Sequence, residues 1–352
     1  MTGREGGRMT RRSLLQMLSV GVGVAAVATP ARADRIRVLP GAGAGEAPPG
    51  AGAIAADLGR FLESVKIGER QTYGGLTVFW LHGAGGPTPL AIRTLDEART
   101  RGELLVTERA NASVSELAIE NRGAVHVLVL AGEILLGGKQ NRIVLEDVLV
   151  PPRSGPLTLP VYCVEQGRWA GEAKGFAPRE MVAAPKLRSR MLERSDQQRV
   201  WAEVQRYSQG VAAPSATQSY TAVHDKPEVR TLQKDVETAL GGRIALGAQG
   251  AAVFVGDDFI GLDLFQDGSL FAREWPKLLR AGTIETYGRR IDGKLDESRM
   301  RAHAEDLLKS AAGATRSIRR GVGAGWLVEL RLSRARGLAL IAESQVVHAA
   351  IL

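Results

Sequence analysis

A single cysteine, Cys163, is present in 352 residues, so no disulfide forms within the chain. It lies in the apolar run Leu159-Pro160-Val161-Tyr162-Cys163-Val164, where a buried packing role is expected rather than a nucleophilic one. The histidines, at 82, 126, 224, 303 and 348, are scattered and lack the spacing of a metal-ligand set. His126 falls inside an apolar strand and reads as a hydrogen-bonded core residue. Long apolar runs are also missing where an anchor would need one. The segment from Leu14 to Thr29 spans 16 residues, short of the roughly 20 that a permanent transmembrane helix requires. No internal repeat is visible.

Several catalytic and cofactor signatures are incomplete. Gly138-Lys139 suggests a phosphate-binding loop, but Glu133 stands where that loop needs glycine, and Gln140 where it needs Ser or Thr. The glycines at 321, 323 and 325 lack the last member of a dinucleotide fingerprint and follow basic residues rather than a strand. His82-Gly83-Ala84-Gly85-Gly86 has the look of an esterase oxyanion loop, yet no Gly-x-Ser-x-Gly elbow exists. Asp257, Asp258, Asp263 and Asp267 miss the calcium-loop spacing. No metal and no cofactor is expected from any of these patterns.

What is present begins with an export signal. Arg11-Arg12 precede the apolar run, and Ala31-Arg32-Ala33 offers the small residues a signal peptidase reads. Residues 1–33 therefore have the form of a twin-arginine signal peptide. The implied location is periplasmic or secreted, with the twin-arginine export machinery as a partner and no stable membrane anchor after cleavage. The absence of a cysteine after the apolar run argues against a lipoprotein. The formal charge is +8, but residues 1–33 carry five arginines against Glu5, which leaves +4 for the rest. The basic pI is thus partly a property of the signal, and no nucleic-acid partner is expected.

Residues 34–52 are rich in Gly, Ala and Pro and read as a linker. One α+β domain is expected over 53–352. Its parts are a mainly antiparallel, β-sandwich-like N-terminal lobe at about 70–165, a helical segment at about 176–241, and an α+β lobe at about 242–352. Ile54, Leu58, Phe61, Leu62 and Val65 predict a first helix. Thr94 with Glu97, and Ser195 with Gln198, predict capping boxes, and Asp225 a further cap. Val125 to Leu136 alternates little, which predicts a strand covered on both faces.

The densest polar segment is Gly132-Glu133-Ile134-Leu135-Leu136-Gly137-Gly138-Lys139-Gln140-Asn141-Arg142, followed by Cys163-Val164-Glu165-Gln166-Gly167-Arg168-Trp169. Gly137 and Gly138 permit a turn or close approach of a ligand. Lys139 and Arg142 offer cationic donors, Gln140 and Asn141 amides, Glu133 and Glu165 carboxylates, and Arg168 and Trp169 a cation and a stacking ring. These blocks, with Gly261-Leu262-Asp263-Leu264-Phe265 and Trp275-Pro276-Lys277-Leu278-Leu279, resemble the ARPP family. That name stands for ADP-ribosylglycohydrolase- and rhodanese-phosphatase-associated proteins, and the resemblance covers most of residues 60–352. It implies a genomic association with ADP-ribose and phosphate chemistry and supplies no catalytic residues. Three functions remain open: a binding module for a small anionic ligand such as a sugar phosphate, nucleotide or ADP-ribose-like molecule; a hydrolase using Glu133 or Glu165 as general acid/base; and a structural or interaction module of the cell envelope, with the motif serving only the fold.

Overall fold

The computed structural model describes residues 50–86, 89–109, 114–168, 175–291 and 295–352. The signal segment, most of the linker and Trp169 lie outside the described residues. Helix α1 (Ala51–Ser64) starts inside the stretch expected to be linker and buries Leu58, Phe61 and Leu62 along one face. Strands β1 (Lys66–Tyr73), β2 (Leu76–His82) and β3 (Ile92–Thr94) follow, then α2 (Leu95–Thr100), β4 (Leu104–Glu108) and β5 (Glu116–Asn121). The segment with the least alternation forms β6 (His126–Val129), β7 (Glu133–Gly137), β8 (Arg142–Val144) and β9 (Val148–Val150). After β10 (Leu157–Cys163) and β11 (Phe176–Val182) come α3 (Pro185–Leu192), α4 (Gln197–Gly210), α5 (Thr221–Asp225) and α6 (Pro227–Val236). A π-helical turn, Glu237–Gly241, extends α6. The chain closes with β12 (Gly250–Val255), β13 (Asp258–Leu264), α7 (Gly268–Thr283), α8 (Glu297–Ala312) and the four strands β14 (Thr315–Arg320), β15 (Trp326–Arg331), β16 (Arg336–Ala342) and β17 (Gln345–Ile351).

The fold is α+β. An eight-stranded antiparallel sheet runs β1-β2-β12-β13-β17-β16-β15-β14. Strands from residues 66–82 thus join those of residues 250–351, rather than the β-rich stretch that follows them. Charged residues mark both edges, Lys66, Glu69 and Arg70 on β1 and Arg319 and Arg320 on β14, a feature that discourages edge-to-edge association. The central strands are covered on both sides. Leu76, Val78 and Trp80 enter one apolar cluster with α7, while Phe79 and Leu81 enter another with α1 and α8. Trp80 meets Trp275 edge to face at 5.1 Å, which seats α7 on the sheet.

A six-stranded sheet, β11-β7-β8-β10-β5-β4, faces a three-stranded one, β3-β6-β9, across a third cluster that includes Ile119, Val127, Val148 and Val161. The strand expected over Val125–Leu136 is in fact two, because the long hairpin 126–150 breaks at matching points on both arms. Its outer parts pair as β6·β9 and its inner parts as β7·β8, in different sheets. Gly132, at φ 94°, makes the corner. Just before it, Val127 and Val129 face one cluster while Leu128 and Leu130 face another. Two cap expectations are also corrected. Asp196, not Ser195, caps α4 by accepting the Arg199 N–H. Asp225 ends α5 and pairs with Arg179, while Pro227 opens α6.

Candidate functional site

Bending a hairpin strips backbone groups of their ladder partners, and buried ones need replacements. At the corner of 126–150 these come from charged side chains. The Leu130 N–H donates to a Glu133 Oε2 at 3.1 Å, and the Ala131 N–H to Asp147 Oδ1 at 2.8 Å. The Ala131 carbonyl accepts from Arg188 Nε of α3 at 3.3 Å. Arg188 in turn grips Asp263 of β13 with both Nη atoms, at 3.0 and 2.6 Å. His348 of β17 bridges the two aspartates, 2.7 Å from Asp147 and 3.1 Å from Asp263. Burial alone would lower the imidazole, but its two carboxylates outweigh this and push it up to about 9. Burial would raise Asp263; Arg188 and His348 reverse it and hold that carboxyl well below its usual range.

The other Glu133 oxygen bonds Lys277 of α7. Lys277 Nζ also lies 2.7 Å from Glu274 and 3.1 Å from Asp96 of α2. Three carboxyls therefore share one ammonium, and Glu133, Glu274 and Lys277 are all buried. Burial pushes Glu133 up to about 8; Lys277 opposes the shift, and Glu274 and Asp96 reinforce it. Burial raises Glu274 as well. Lys277 would be lowered by burial, but the carboxylates around it raise it well above its ordinary value. Glu133 thus tends to keep a proton at neutral pH while Lys277 stays charged.

Lys277 is the floor of a cleft of about 710 Å³ between α2, β11 and α7, within the size range of ligand pockets. Three arginines line it. Arg273 pairs with Glu97 at 2.8 Å, and Arg280 with Glu237 at 2.8 Å. Arg101, at the end of α2, is exposed and has no ion-pair partner among the described residues. Two irregularities shape the wall. Glu180 takes φ 49° in a bulge of β11, and Glu237 belongs to the π-helical turn. Both features occur preferentially at functional sites. An adjoining cavity of about 240 Å³ shares Glu180, Lys277 and Arg280 and reaches His224, whose imidazole burial lowers to about 3.

The remaining sequence candidates gather elsewhere. Gly137 and Gly138, at φ 136° and 49°, turn from β7 into β8. Their open sides are filled by the protein, since an added Cβ would come 2.4 Å from the Gly175 carbonyl or 2.3 Å from the Phe176 ring. Glu165 accepts from the Asn141 N–H at 3.0 Å, from Thr217 at 2.7 Å and from Arg168 at 2.7 Å. Burial would raise this carboxyl, and those donors instead hold it below its usual range. Arg168 also donates to the Gly138 carbonyl at 2.8 Å, and Asn141 to Ser219 at 3.1 Å. The Gln140 amide donates to the Gln166 carbonyl at 3.4 Å, and the Lys139 N–H to Glu108 at 3.2 Å. Arg142, wholly buried, donates to the Gln140 carbonyl at 2.8 Å and lies 3.9 Å from Glu108.

Glu133 and Arg142 are therefore not paired with each other, and Glu133 and Glu165 join separate networks. Cys163 is buried, its thiol pushed up to about 11 by that burial. Sequence reading missed Asp96, Asp147, Arg188, Glu274, Lys277 and His348. A signal existed for two of them: Glu274 and Lys277 flank Trp275 and Leu278, apolar neighbours that draw this helix face inward. Among the described residues, no group of His, Cys, Asp and Glu forms a metal-holding set, and no helix is long and apolar enough to cross a membrane.

Neither the curated proteins nor the solved structures yield a match to this chain. The family model for ARPP-1, the ARG and Rhodanese-Phosphatase-superfamily-associated Protein domain, matches residues 64–352, and the chain belongs to that family.

Proposed function

We propose that the cleft above Lys277 binds a small polar anionic ligand, of the class of a sugar phosphate, nucleotide or ADP-ribose-like molecule. The observation that carries this reading is the convergence of Arg101, Arg273 and Arg280 on one cavity floored by an ammonium. Arginine forks suit phosphate and carboxylate oxygens. Asp96, Glu97 and Glu180 supply acceptors for hydroxyl groups on the same ligand. The twin-arginine segment supports export, with the ligand met in the periplasm or outside the cell.

A second reading, hydrolysis with Glu133 as general acid/base, draws support from the proton that burial retains on its carboxyl. Glu165 fits that role less well, because its donors hold it ionised. The closed bonding of the 137–142 turn supports a purely structural role for that segment.

A thermal-shift screen of the full chain against ADP-ribose, nucleotides and sugar phosphates, run beside Arg101→Ala and Arg168→Ala, tests the placement. A ligand at a hundred times its dissociation constant adds about 2.7 kcal/mol of apparent stability. Binding weakened about tenfold by Arg101→Ala and untouched by Arg168→Ala supports the cleft. Arg101→Ala binding as tightly as wild type would sink it, and loss only in Arg168→Ala would return the site to the glycine turn.

A further inference from the structure

A second cavity, of about 410 Å³, opens between α4 and the loop 211–218, and it differs in kind from the cleft. No charged residue is among those lining it. Trp201 of α4 forms part of one wall, and the side chains of Gln166, Gln205, Gln209 and Gln218 stand around it. None of these four amides has a hydrogen-bond partner among the described residues, whereas the Gln140, Gln197, Gln233 and Gln249 amides are all engaged. The loop side is held in costly backbone. Ala212 and Gln218, at φ 49° and 52°, are two of the non-glycine residues in the left-handed region, a conformation that gathers at ligand clamps.

We infer that this cavity is a binding site for a neutral carbohydrate of one or two sugar rings. An amide side chain both donates and accepts, and so does each sugar hydroxyl, so the four glutamines match a polyhydroxylated ring without needing charge. An indole presents a broad apolar face to the C–H side of such a ring. A charged ligand finds no counter-ion here, and a purely apolar one leaves the amides unmatched. The site shares no lining residue with the cleft above Lys277, so it stands or falls independently of that reading.

The test is a glycan array of neutral and anionic saccharides probed with the full chain, followed by calorimetric titration of the hits. Gln205 and Gln209 are exposed on α4, so Gln205→Ala/Gln209→Ala keeps the fold, which circular dichroism verifies. The expected result is a neutral saccharide bound by wild type, about tenfold more weakly by the double variant, and equally well by Arg101→Ala. Full affinity in the double variant overturns the assignment. So does the absence of any neutral hit at millimolar saccharide, or binding confined to anionic sugars and dependent on Arg101.

Discussion

The glycine turn at 137–142 and the cleft at Lys277 are both crowded with charge, and they differ in what each leaves over. In the turn most donors and acceptors are matched to one another, and the unbonded exceptions, Arg142 Nε and Nη2 and Glu108 Oε2, are buried with no cavity beside them among the described residues. Glu165 alone closes on a backbone N–H, a hydroxyl and a guanidinium, and Gly175 and Phe176 occupy the space beside the two glycines. In the cleft the supply is unbalanced. One ammonium faces three carboxyls, an arginine at the rim has no ion-pair partner among the described residues, and the cavity beside them is open. A dense polar motif can therefore be the lock of a turn, while a site assembles from single residues on separate elements. The structural test is the unmatched group beside open space, not the number of polar residues in a row.

The largest effect expected from breaking this contrast is at Lys277. Lys277→Met removes the cation that Glu133, Glu274 and Asp96 share and leaves the buried Glu133 and Glu274 carboxyls without it. Breaking a buried pair in this way costs about 3–5 kcal/mol, and urea unfolding at neutral pH measures it. The loss should shrink in acid, where the orphaned carboxyls take up protons. A loss below about 1 kcal/mol would mean that water already solvates the cluster.

A smaller effect is expected in the turn. Glu165→Ala leaves the Asn141 N–H, the Thr217 hydroxyl and Arg168 without their shared acceptor, at about 2–3 kcal/mol. Ligand binding in the cleft should not change. If Glu165→Ala abolishes binding while stability stays near wild type, the turn is the site and the comparison above is inverted.

How much of this was legible in the sequence follows from the range of the signals. The capping box at Thr94 and Glu97 is local, and it forms as expected, with both reciprocal bonds made. The helix expected from Ile54, Leu58, Phe61, Leu62 and Val65 rests on local periodicity, and it forms as α1 with Leu58, Phe61 and Leu62 buried. The break in the hairpin 126–150 was not legible, because residues 125–136 are apolar apart from His126 and Glu133 and remain so when consecutive strands bury both faces in different clusters. The cleft was invisible for a related reason. Asp96, Glu133 and Lys277 are far apart in the chain, and nothing local in any of them specifies the others. Of the motif residues, Glu133 alone reaches the cleft's network, because the corner at Gly132 turns it away from the strand end that carries its neighbours.

The finest discrimination comes from pH. Glu133 holds its proton to about 8 in the folded chain and loses it near 4.5 when unfolded. Between those values the folded state carries the extra proton, so stability falls as pH rises. His348 acts in the same direction over a higher window, from 6.5 in the unfolded chain to about 9 when folded. The stabilisation it receives from Asp147 and Asp263 is complete below 6.5 and lost as pH passes 9. Asp263 works in the opposite sense, losing its contribution only as pH falls below 3.8, outside both windows. Each group adds at most about 1.4 kcal/mol per pH unit. Glu133→Gln should therefore flatten the decline between pH 5 and 6, where His348 contributes little; Glu274, raised by the same burial, retains part of the slope. His348→Asn should flatten it most near pH 8.5 to 9, where the contribution of Glu133 is running out. Chemical denaturation at half-unit pH steps separates the two. A Glu133→Gln profile parallel to wild type below 6 would mean that Glu133 is ionised in the folded state, which would remove the physical support for its role as a general acid.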